Sequence, residues 1–266
     1  MARNGRVVLV TSAQGGMGRT MAAAALATDL TKFGTVALVS LDNDTSPEGE
    51  LNARGYLGEM EPVPGGDRSL FRPAAQSWTG VRASELDRCK LHVALPLSSL
   101  GRTILRLKAT YDFVVVRTPQ IRDNQAHNEL LNVDVAIVLY RQNAHSHRLA
   151  SQLVTKFESI QIPMVLPVAN FVATASEVTL GCRWTEIAIS RFHNQLTAAL
   201  PTARKLGCNS VDTLYQATTM RFLPYLCYES ANVALLLSAS DGSKPGASIH
   251  TLAMLCALME RKIESE

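Results

Sequence analysis

The chain has few cysteines and no paired cysteine motif. Its 5 cysteines are scattered over 266 residues, at Cys89, Cys182, Cys208, Cys227 and Cys256. Structural zinc and iron–sulfur sites need closely spaced ligand pairs such as C-x-x-C, so this spacing disfavours a metal centre of that kind. An odd number of isolated thiols also fits no disulfide framework, and it predicts reduced thiols in a cytoplasmic protein.

Long apolar runs are also missing. No stretch approaches the ~18 consecutive apolar residues that a transmembrane helix requires, and the first residues do not form an apolar signal segment. A helix is predicted over 249–263, and its last residues include several acids. That charge favours packing on the rest of the domain over attraction to an anionic lipid surface, so we expect a cytoplasmic protein with no membrane partner.

The net charge of the chain does not by itself decide between classes of function. A formal net charge of +3 is too small to indicate a nucleic-acid-binding protein. Several basic residues in the later half, including Arg183, Arg191 and Arg204, are interleaved with acids. This arrangement favours a solvated face and leaves non-specific DNA binding as an alternative. With 47% hydrophobic residues, the chain has the composition of one globular domain over 1–266.

A glycine-rich segment stands out near the amino terminus. Ala13–Thr20 follows the apolar run Val7–Val10 and precedes an alanine-rich stretch. A phosphate-binding loop has this layout, because its backbone N–H groups surround phosphate oxygens at a helix start. Gly18 and Thr20 match the pattern G-x-x-x-x-G-K-[ST], whereas Ala13 replaces its first glycine and Arg19 its lysine. The alternative is a tight glycine turn without a ligand.

The surrounding pattern is that of an α/β protein. A helix is predicted over 21–30, with Gly34 as its C-cap, before the buried strand Val36–Leu41. Further helices are predicted over 100–109, 146–160 and 183–200, the last ended or kinked by Pro201. Residues 55–72 are predicted to be a surface loop. The alternation of strands and helices predicts a doubly wound, mostly parallel sheet with helices on both faces.

Gln14–Thr20 resembles the deviant Walker A box, K-G-G-x-G-K-[ST], of the ParA/MinD family of P-loop ATPases. Later segments resemble the family's other motifs in the same order. They are the switch segment 42–44, the Walker B strand 111–119, the core strand 133–139, the strand 164–170 that ends in an asparagine, and the segment 222–225. The ordered set covers nearly the whole chain.

The resemblance implies a site for ATP or ADP with Mg²⁺. It implies that the phosphates are held by Gln14, Gly15, Gly16, Gly18, Arg19 and Thr20. Asn170 would read the adenine, Thr20 and Asp42 would hold the metal, and Asp44 would be the catalytic residue that positions the attacking water.

Three positions depart from the family pattern. Gln14 stands where the family has its signature lysine, Arg19 stands at the loop lysine, and Arg117 stands at the Walker B aspartate. A base in place of an acid disfavours Mg²⁺. Because phosphoryl transfer depends on positioned charge and metal, we expect weak hydrolysis.

Two functions follow from the resemblance. The first is a nucleotide-binding switch that forms a homodimer and positions or partitions a cargo, either DNA or a cell-envelope machine, through a protein adaptor or cargo complex. The alternative is a degenerate pseudo-ATPase that serves as a dimeric scaffold or regulatory subunit of a secretion, pilus, conjugation or cellulose-synthesis apparatus.

Overall fold

The structure is a computed structural model. It describes residues 4–41, 60–62, 70–73, 89–95, 100–118, 130, 132–172, 178–220 and 246–259. The predicted site residues Asp42 and Asp44, and the segment 222–225, lie outside these described residues.

A single eight-stranded sheet organises the chain. Its strands are β1 (Arg6–Thr11), β2 (Val36–Leu41), β3 (Met60–Pro62), β4 (Leu70–Pro73), β5 (Cys89–Leu95), β6 (Phe113–Arg117), β7 (Val135–Tyr140) and β8 (Met164–Ala169). Their order across the sheet is β3-β4-β5-β2-β6-β1-β7-β8. The pairs from β5 to β8 are parallel, whereas β3 and β4 add an antiparallel edge.

The middle of the sheet forms the core. β1 pairs with β6 on one side and with β7 on the other. The side chains of Val7–Val10 and Val114–Val116 have no exposed surface. Continuous apolar strands are expected where a parallel sheet is covered on both faces, because neither side of the strand meets water.

The described residues contain seven helices. They are α1 (Arg19–Leu30), α2 (Leu100–Lys108), α3 (Ala144–Ser159), α4 (Val178–Arg191), α5 (His193–Arg204), α6 (Val211–Thr218) and α7 (Gly246–Leu258). α1 packs on β2 and β6, α3 packs on β7 and β8, and α5 packs on β8. The resulting doubly wound α/β domain confirms the predicted fold class.

α1 is buried on all sides. Ala22–Ala27 and Leu30 are at most 4% exposed, because α7 covers the face of α1 that is turned away from the sheet. Small alanine side chains let the helix approach both layers closely, and alanine is also the strongest helix former.

Several polar contacts fasten α7 to the rest of the domain, among them a bond of 2.6 Å from the Ser248 hydroxyl to the carbonyl of Thr219. The buried Arg6 guanidinium on β1 donates hydrogen bonds to the backbone carbonyls of Cys256 and Met259, the latter at 2.6 Å. Asp29 on α1, only 1% exposed, pairs with His250 on α7 at 2.7 Å and with the neighbouring Lys32. The arginine therefore satisfies carbonyls that the end of a helix leaves without partners.

Two sequence predictions were wrong in detail. The helix predicted over 183–200 is two helices that meet at Phe192, and Pro201 lies inside α5. The Phe192 ring at this break is buried and contacts Tyr140 of β7 and His147 of α3. The predicted surface loop 55–72 contains part of the short hairpin strands β3 and β4.

No helix within the described ranges combines the length and the apolar character that a membrane span requires.

Candidate functional site

Four loops meet at the carboxyl edge of the central strands. The segment 12–18 follows β1, Arg117 ends β6, Arg141 follows β7, and Asn170 follows β8. The chain leaves β1 toward β2 but leaves β6 toward β7, on the other side of β1. In open α/β sheets, ligands bind outside the carboxyl ends of the strands where the connections change direction in this way.

Two glycines shape the loop after β1. Gly16 and Gly18 have φ angles of +67° and +75°, in the left-handed region that favours glycine. A Cβ on Gly18 would lie 2.6 Å from Nδ2 of Asn170 and 2.9 Å from the Phe171 ring. A Cβ on Gly15 or Gly16 would meet no atom within 4 Å. Packing against Asn170 and Phe171 therefore leaves no room for a side chain at Gly18, whereas Gly15 and Gly16 border open space.

The start of α1 lacks a side-chain cap. Gly18 is the N-cap residue and has no side chain to accept a hydrogen bond, and the first turn contains no acid. The first N–H groups of a helix have no partner within the helix and carry its positive dipole end. An uncapped start beside an open glycine loop suits an anion such as phosphate.

Polar side chains beneath the loop hold it in place. Ser12 donates from its hydroxyl to the carbonyl of Gln14 at 2.5 Å. Thr118, which follows β6, donates to the buried Thr11 hydroxyl at 2.9 Å. The first bond lies within the loop, and the second joins the ends of β1 and β6 at the base of the site.

The arginine at the end of β6 contacts the start of α1. Arg117 is half-buried, and its Nη1 donates to the Thr20 hydroxyl at 3.3 Å. A guanidinium has five donors and no acceptor, so it cannot bind a cation. Mg²⁺ needs oxygen ligands, and the Thr20 hydroxyl, which was predicted to be one, accepts a hydrogen bond from Arg117 instead. The described residues around Thr20 therefore do not fit Mg²⁺.

Asn170 lies under the loop. Its side chain is 1% exposed. Nδ2 donates to the carbonyl of Met17 at 2.8 Å, and Oδ1 accepts from the Phe171 N–H at 2.9 Å. The amide thus ties the end of β8 to the loop after β1. Its predicted contact with adenine stays a prediction.

Arg141 is a site residue that sequence reasoning missed. Its Nη2 donates to the carbonyl of Gly16 at 3.1 Å, and its guanidinium lies 5.1 Å from the centroid of the Phe171 ring. The available signal was its position directly after the core strand β7, on the same edge as the loop. With Arg19 and Arg117, it gives this edge a positive charge.

The described residues offer no alternative metal site. Those parts of the chain contain no cluster of three His, Cys, Asp or Glu side chains that could hold a metal ion. His145 is exposed at the start of α3. His147 is fully buried, and its ring contacts Tyr140, Trp184 and Phe192.

His147 is held neutral by its surroundings. Burial, followed by the positive charge of Arg191, lowers the pKa of its imidazole from 6.5 to about 4. Within the described structure, neither ring nitrogen has a hydrogen-bond partner. The residue therefore belongs to the core and has no role at the loop.

The chain matches no family model and no curated protein. It is similar to the solved structure of a ParA family ATPase from Chlorobium tepidum, with 14% identity and a TM-score of 0.63, over 95% of this chain and 98% of that one. It is also similar to the MinC:MinD cell division protein complex of Aquifex aeolicus, with 16% identity and a TM-score of 0.59, over 98% of each chain. A third similar structure is the septum site-determining protein MinD complexed with Mg-ADP from Pyrococcus horikoshii, with 13% identity and a TM-score of 0.57, over 95% of this chain and 94% of that one. At these identities the likeness establishes the fold, and this chain therefore has the fold of the ParA/MinD ATPases.

Proposed function

We propose that this chain is a nucleotide-binding switch of the ParA/MinD type that positions or partitions a cargo. The observation that carries the proposal is the loop after β1. Gly16 and Gly18 adopt left-handed angles, Gly15 borders open space, and the start of α1 is uncapped. These features together suit a polyphosphate, and the similar MinD of Pyrococcus horikoshii carries Mg-ADP.

The binding roles divide between backbone and side chains. The N–H groups of Gly15–Thr20 would surround the phosphates, because no described atom lies within 4 Å of a Cβ placed on Gly15 or Gly16. Arg19 and Arg141 would add positive charge beside the loop, and Arg141 already fixes the Gly16 carbonyl. Asn170 would keep the loop in this shape through its bond to Met17.

Hydrolysis is expected to be weak. Asp44 remains the proposed residue that positions water, and Asp42 the proposed metal ligand. The contact between Arg117 and Thr20 opposes a metal at the helix start. When bound, a metal in such sites neutralises the charge that develops on the transferred phosphoryl group. Its loss would slow the reaction without preventing nucleotide binding.

The proposed partners are a second copy of the chain and a protein adaptor or cargo complex. A similar protein, the MinD of Aquifex aeolicus, was solved with MinC. Gln14 is neutral where the family's lysine would reach the partner subunit, so a nucleotide would stabilise the dimer less in this chain. Non-specific DNA is a further proposed cargo, through the exposed Arg183, Arg191 and Arg204.

One observation favours the alternative, a pseudo-ATPase that acts as a dimeric scaffold. The hydrogen bond from Arg117 to Thr20 places a base where hydrolysis needs an acid and a metal. The double substitution Arg19→Lys with Arg117→Asp tests descent from an active enzyme. A gain of phosphate release in this variant would support that descent.

Ligand-induced stabilisation tests the nucleotide site directly. ATP or ADP at about 100 times its Kd should add ~2.7 kcal/mol to the free energy of unfolding. Unfolding is followed with and without nucleotide, once in Mg²⁺ and once in a chelator, while phosphate release is measured in parallel. Stabilisation without phosphate release favours the pseudo-ATPase. No stabilisation in either buffer contradicts nucleotide binding and leaves only the scaffold.

A matched pair of glycine variants provides the control. Gly16 and Gly207 both have left-handed φ angles, +67° and +81°, and a Cβ on either would meet no atom within 4 Å. Gly16→Ala places a methyl group in the loop, whereas Gly207→Ala places one beyond the end of α5. Both substitutions should destabilise the free protein by about 1–2 kcal/mol. Only Gly16→Ala should lose the stabilisation by nucleotide.

A further inference from the structure

A polar surface groove lies between α3 and the end of α4. Its volume is about 440 Å³, and it is lined by two arginines, Arg148 and Arg191, together with the neutral side chains of Ser151, Gln152 and Thr155. All five residues lie in the described parts of the chain. None of them belongs to the loop after β1, so the groove is a second candidate site.

Packing fixes the helices that form the groove. The centroid of the buried His147 ring on α3 lies 5.5 Å from that of Trp184 on α4 and 6.2 Å from that of Phe192, which follows α4. Gln195 at the start of α5 also donates to a carboxylate oxygen of Glu158 on α3 at 2.5 Å. The groove is therefore preformed, and a ligand would not have to order its walls in order to bind.

The groove is positively charged. Arg148 and Arg191 are both exposed, and no carboxylate lines the groove with them. In the part of the chain that the structure describes, neither arginine forms an ion pair with an acid. Arg148 instead contacts the ring of His145 at 3.4 Å. Burial, followed by the charge of Arg191, lowers the pKa of the His147 imidazole to about 4.

The chemistry of this lining fits a peptide that carries carboxylates. A guanidinium binds a carboxylate through two parallel hydrogen bonds, which are stronger than bonds between neutral groups. The hydroxyls of Ser151 and Thr155 and the amide of Gln152 both donate and accept, as the backbone of an extended peptide requires. Arg191 also lines an adjoining groove, where the half-buried Ile187 offers an apolar contact.

Duplex DNA fits the groove less well than a peptide does. Its phosphates form a continuous row of charge, and a protein that binds them presents clustered cations along that row. Here the acid Glu186 lines the adjoining groove beside Arg191, and Glu158 is exposed on the same helix as Arg148. These carboxylates would repel a row of phosphates, whereas a peptide can place its acids at the two arginines alone.

We propose that the groove between α3 and α4 is a docking site for an acidic peptide segment of a partner protein, whose carboxylates pair with Arg148 and Arg191. The proposal rests on the proposed function in one respect, the existence of a protein adaptor or cargo complex. It adds the surface and the charge by which that partner would be recognised.

Fluorescence anisotropy of a short labelled peptide tests the proposal on the full chain. In the first probe, glutamate alternates with serine. A second probe has lysine in place of glutamate, and a third is a DNA duplex of random sequence. The chain should bind the glutamate peptide and should not bind the lysine peptide. Failure to bind the glutamate peptide overturns the proposal.

Substitutions in the groove locate the binding. Arg148→Ala with Arg191→Ala should raise the Kd for the glutamate peptide by at least about tenfold, which corresponds to ~1.4 kcal/mol. Arg148→Glu with Arg191→Glu should turn the preference toward the lysine peptide, a gain that a damaged fold does not produce. A Kd that the double alanine substitution leaves unchanged overturns the proposal. If that substitution abolishes binding of the duplex, and the glutamate peptide does not bind, the groove belongs to DNA.

The matched control removes the same charge elsewhere. Arg102 and Arg106 are two exposed arginines on α2. Arg102→Ala with Arg106→Ala should leave the Kd for the glutamate peptide unchanged. An equal loss of affinity in this variant would show an effect of overall charge and would overturn the role of the groove.

Competition with ATP separates this proposal from the nucleotide site. At equal ionic strength, excess ATP should not displace the glutamate peptide, and the double alanine variant of the groove should keep its stabilisation by ATP. Displacement by ATP would place the peptide at the loop after β1, which overturns the proposal and leaves the nucleotide site standing. Peptide binding that depends on the groove, without any stabilisation by ATP, would support the proposal and contradict the nucleotide site alone.

Discussion

Nδ2 of Asn170 donates a hydrogen bond of 2.8 Å to the carbonyl of Met17. The two residues are 153 positions apart in the chain, and the bond is buried. It joins the last strand of the sheet to the loop that follows the central strand. The shape of the loop therefore depends on a side chain from a distant element.

We predict that Asn170→Ala destabilises the protein and weakens nucleotide binding together. The substitution leaves the Met17 carbonyl and the Phe171 N–H without their partner, and an unsatisfied buried group costs about 1–3 kcal/mol. Urea unfolding measures the stability, and titration with ATP measures the affinity. The control is Asn143→Ala, which removes the N-cap of α3 and should cost about 1 kcal/mol without changing affinity. Equal affinities in wild type and Asn170→Ala would contradict the prediction.

Gly18→Ala should be more destabilising than Gly16→Ala. Both substitutions place a Cβ at a left-handed φ, which costs about 1–2 kcal/mol. The Cβ at position 18 also overlaps the Asn170 amide and the Phe171 ring, and such overpacking typically costs a further ~1–3 kcal/mol. Urea unfolding of the two variants measures the difference. Equal losses of stability in the two variants would mean that Asn170 and Phe171 move aside without a cost in free energy.

Replacing His147 by leucine should stabilise the protein in mild acid. The folded pKa of about 4 lies below the ordinary value of 6.5, so between these pH values the unfolded chain binds a proton that the folded protein does not. Stability is then lost as the pH falls through this window, by up to about 3 kcal/mol. His147→Leu should flatten this part of the stability profile.

The neighbouring histidine is the control for that experiment. His145 lies on the same helix but is exposed, so His145→Leu should leave the profile unchanged. Chemical unfolding at several pH values between about 4 and 7 makes the comparison. A wild-type profile that is flat across this window would contradict the buried, neutral state of His147.

Arg6→Met should loosen α7. The substitution removes the hydrogen bonds to the carbonyls of Cys256 and Met259. Breaking bonds to a charged donor costs about 1.5–3 kcal/mol each. Cys256 is a sensitive reporter, because its thiol has no exposed surface and burial raises its pKa to about 12.

Alkylation with site-resolved mass spectrometry measures this opening. Cys256 should react much faster in Arg6→Met than in wild type, because the thiolate is the reactive form and both exposure and ionisation increase when the helix detaches. Arg102→Met removes an exposed cation from α2 and should leave the rate unchanged. Equal rates in Arg6→Met and wild type would mean that the Arg6 hydrogen bonds do not hold α7 in place.

The fold was predictable because its signals are local. Each of these signals consists of consecutive residues, namely the glycine loop and the apolar runs of β1, β6, β7 and β8. The break at Phe192 was not predictable, because the Phe192 ring packs on residues of β7 and α3 that are distant in the sequence. Pro201 was misleading for a related reason: packing of α5 on β8 tolerates a proline that sequence rules place at a helix end.

The candidate site was predictable in part. Gly15, Gly16, Gly18 and Thr20 are identified by their spacing. The contacts of Arg117, Arg141 and Asn170 depend on how three strand ends meet, and no spacing encodes a distance between side chains. His147 shows the same limit, since a histidine at a helix start gives no sign that it will be buried.

The position of β1 has a consequence for how the domain opens. This strand lies between two parallel neighbours, and its apolar side chains have no exposed surface. The backbone amides of such a strand exchange with solvent only when the whole domain unfolds. The glycine loop after β1 is thus anchored to the slowest-exchanging part of the molecule, so local fraying at the sheet edge formed by β3 and β4 leaves the anchor of the loop intact.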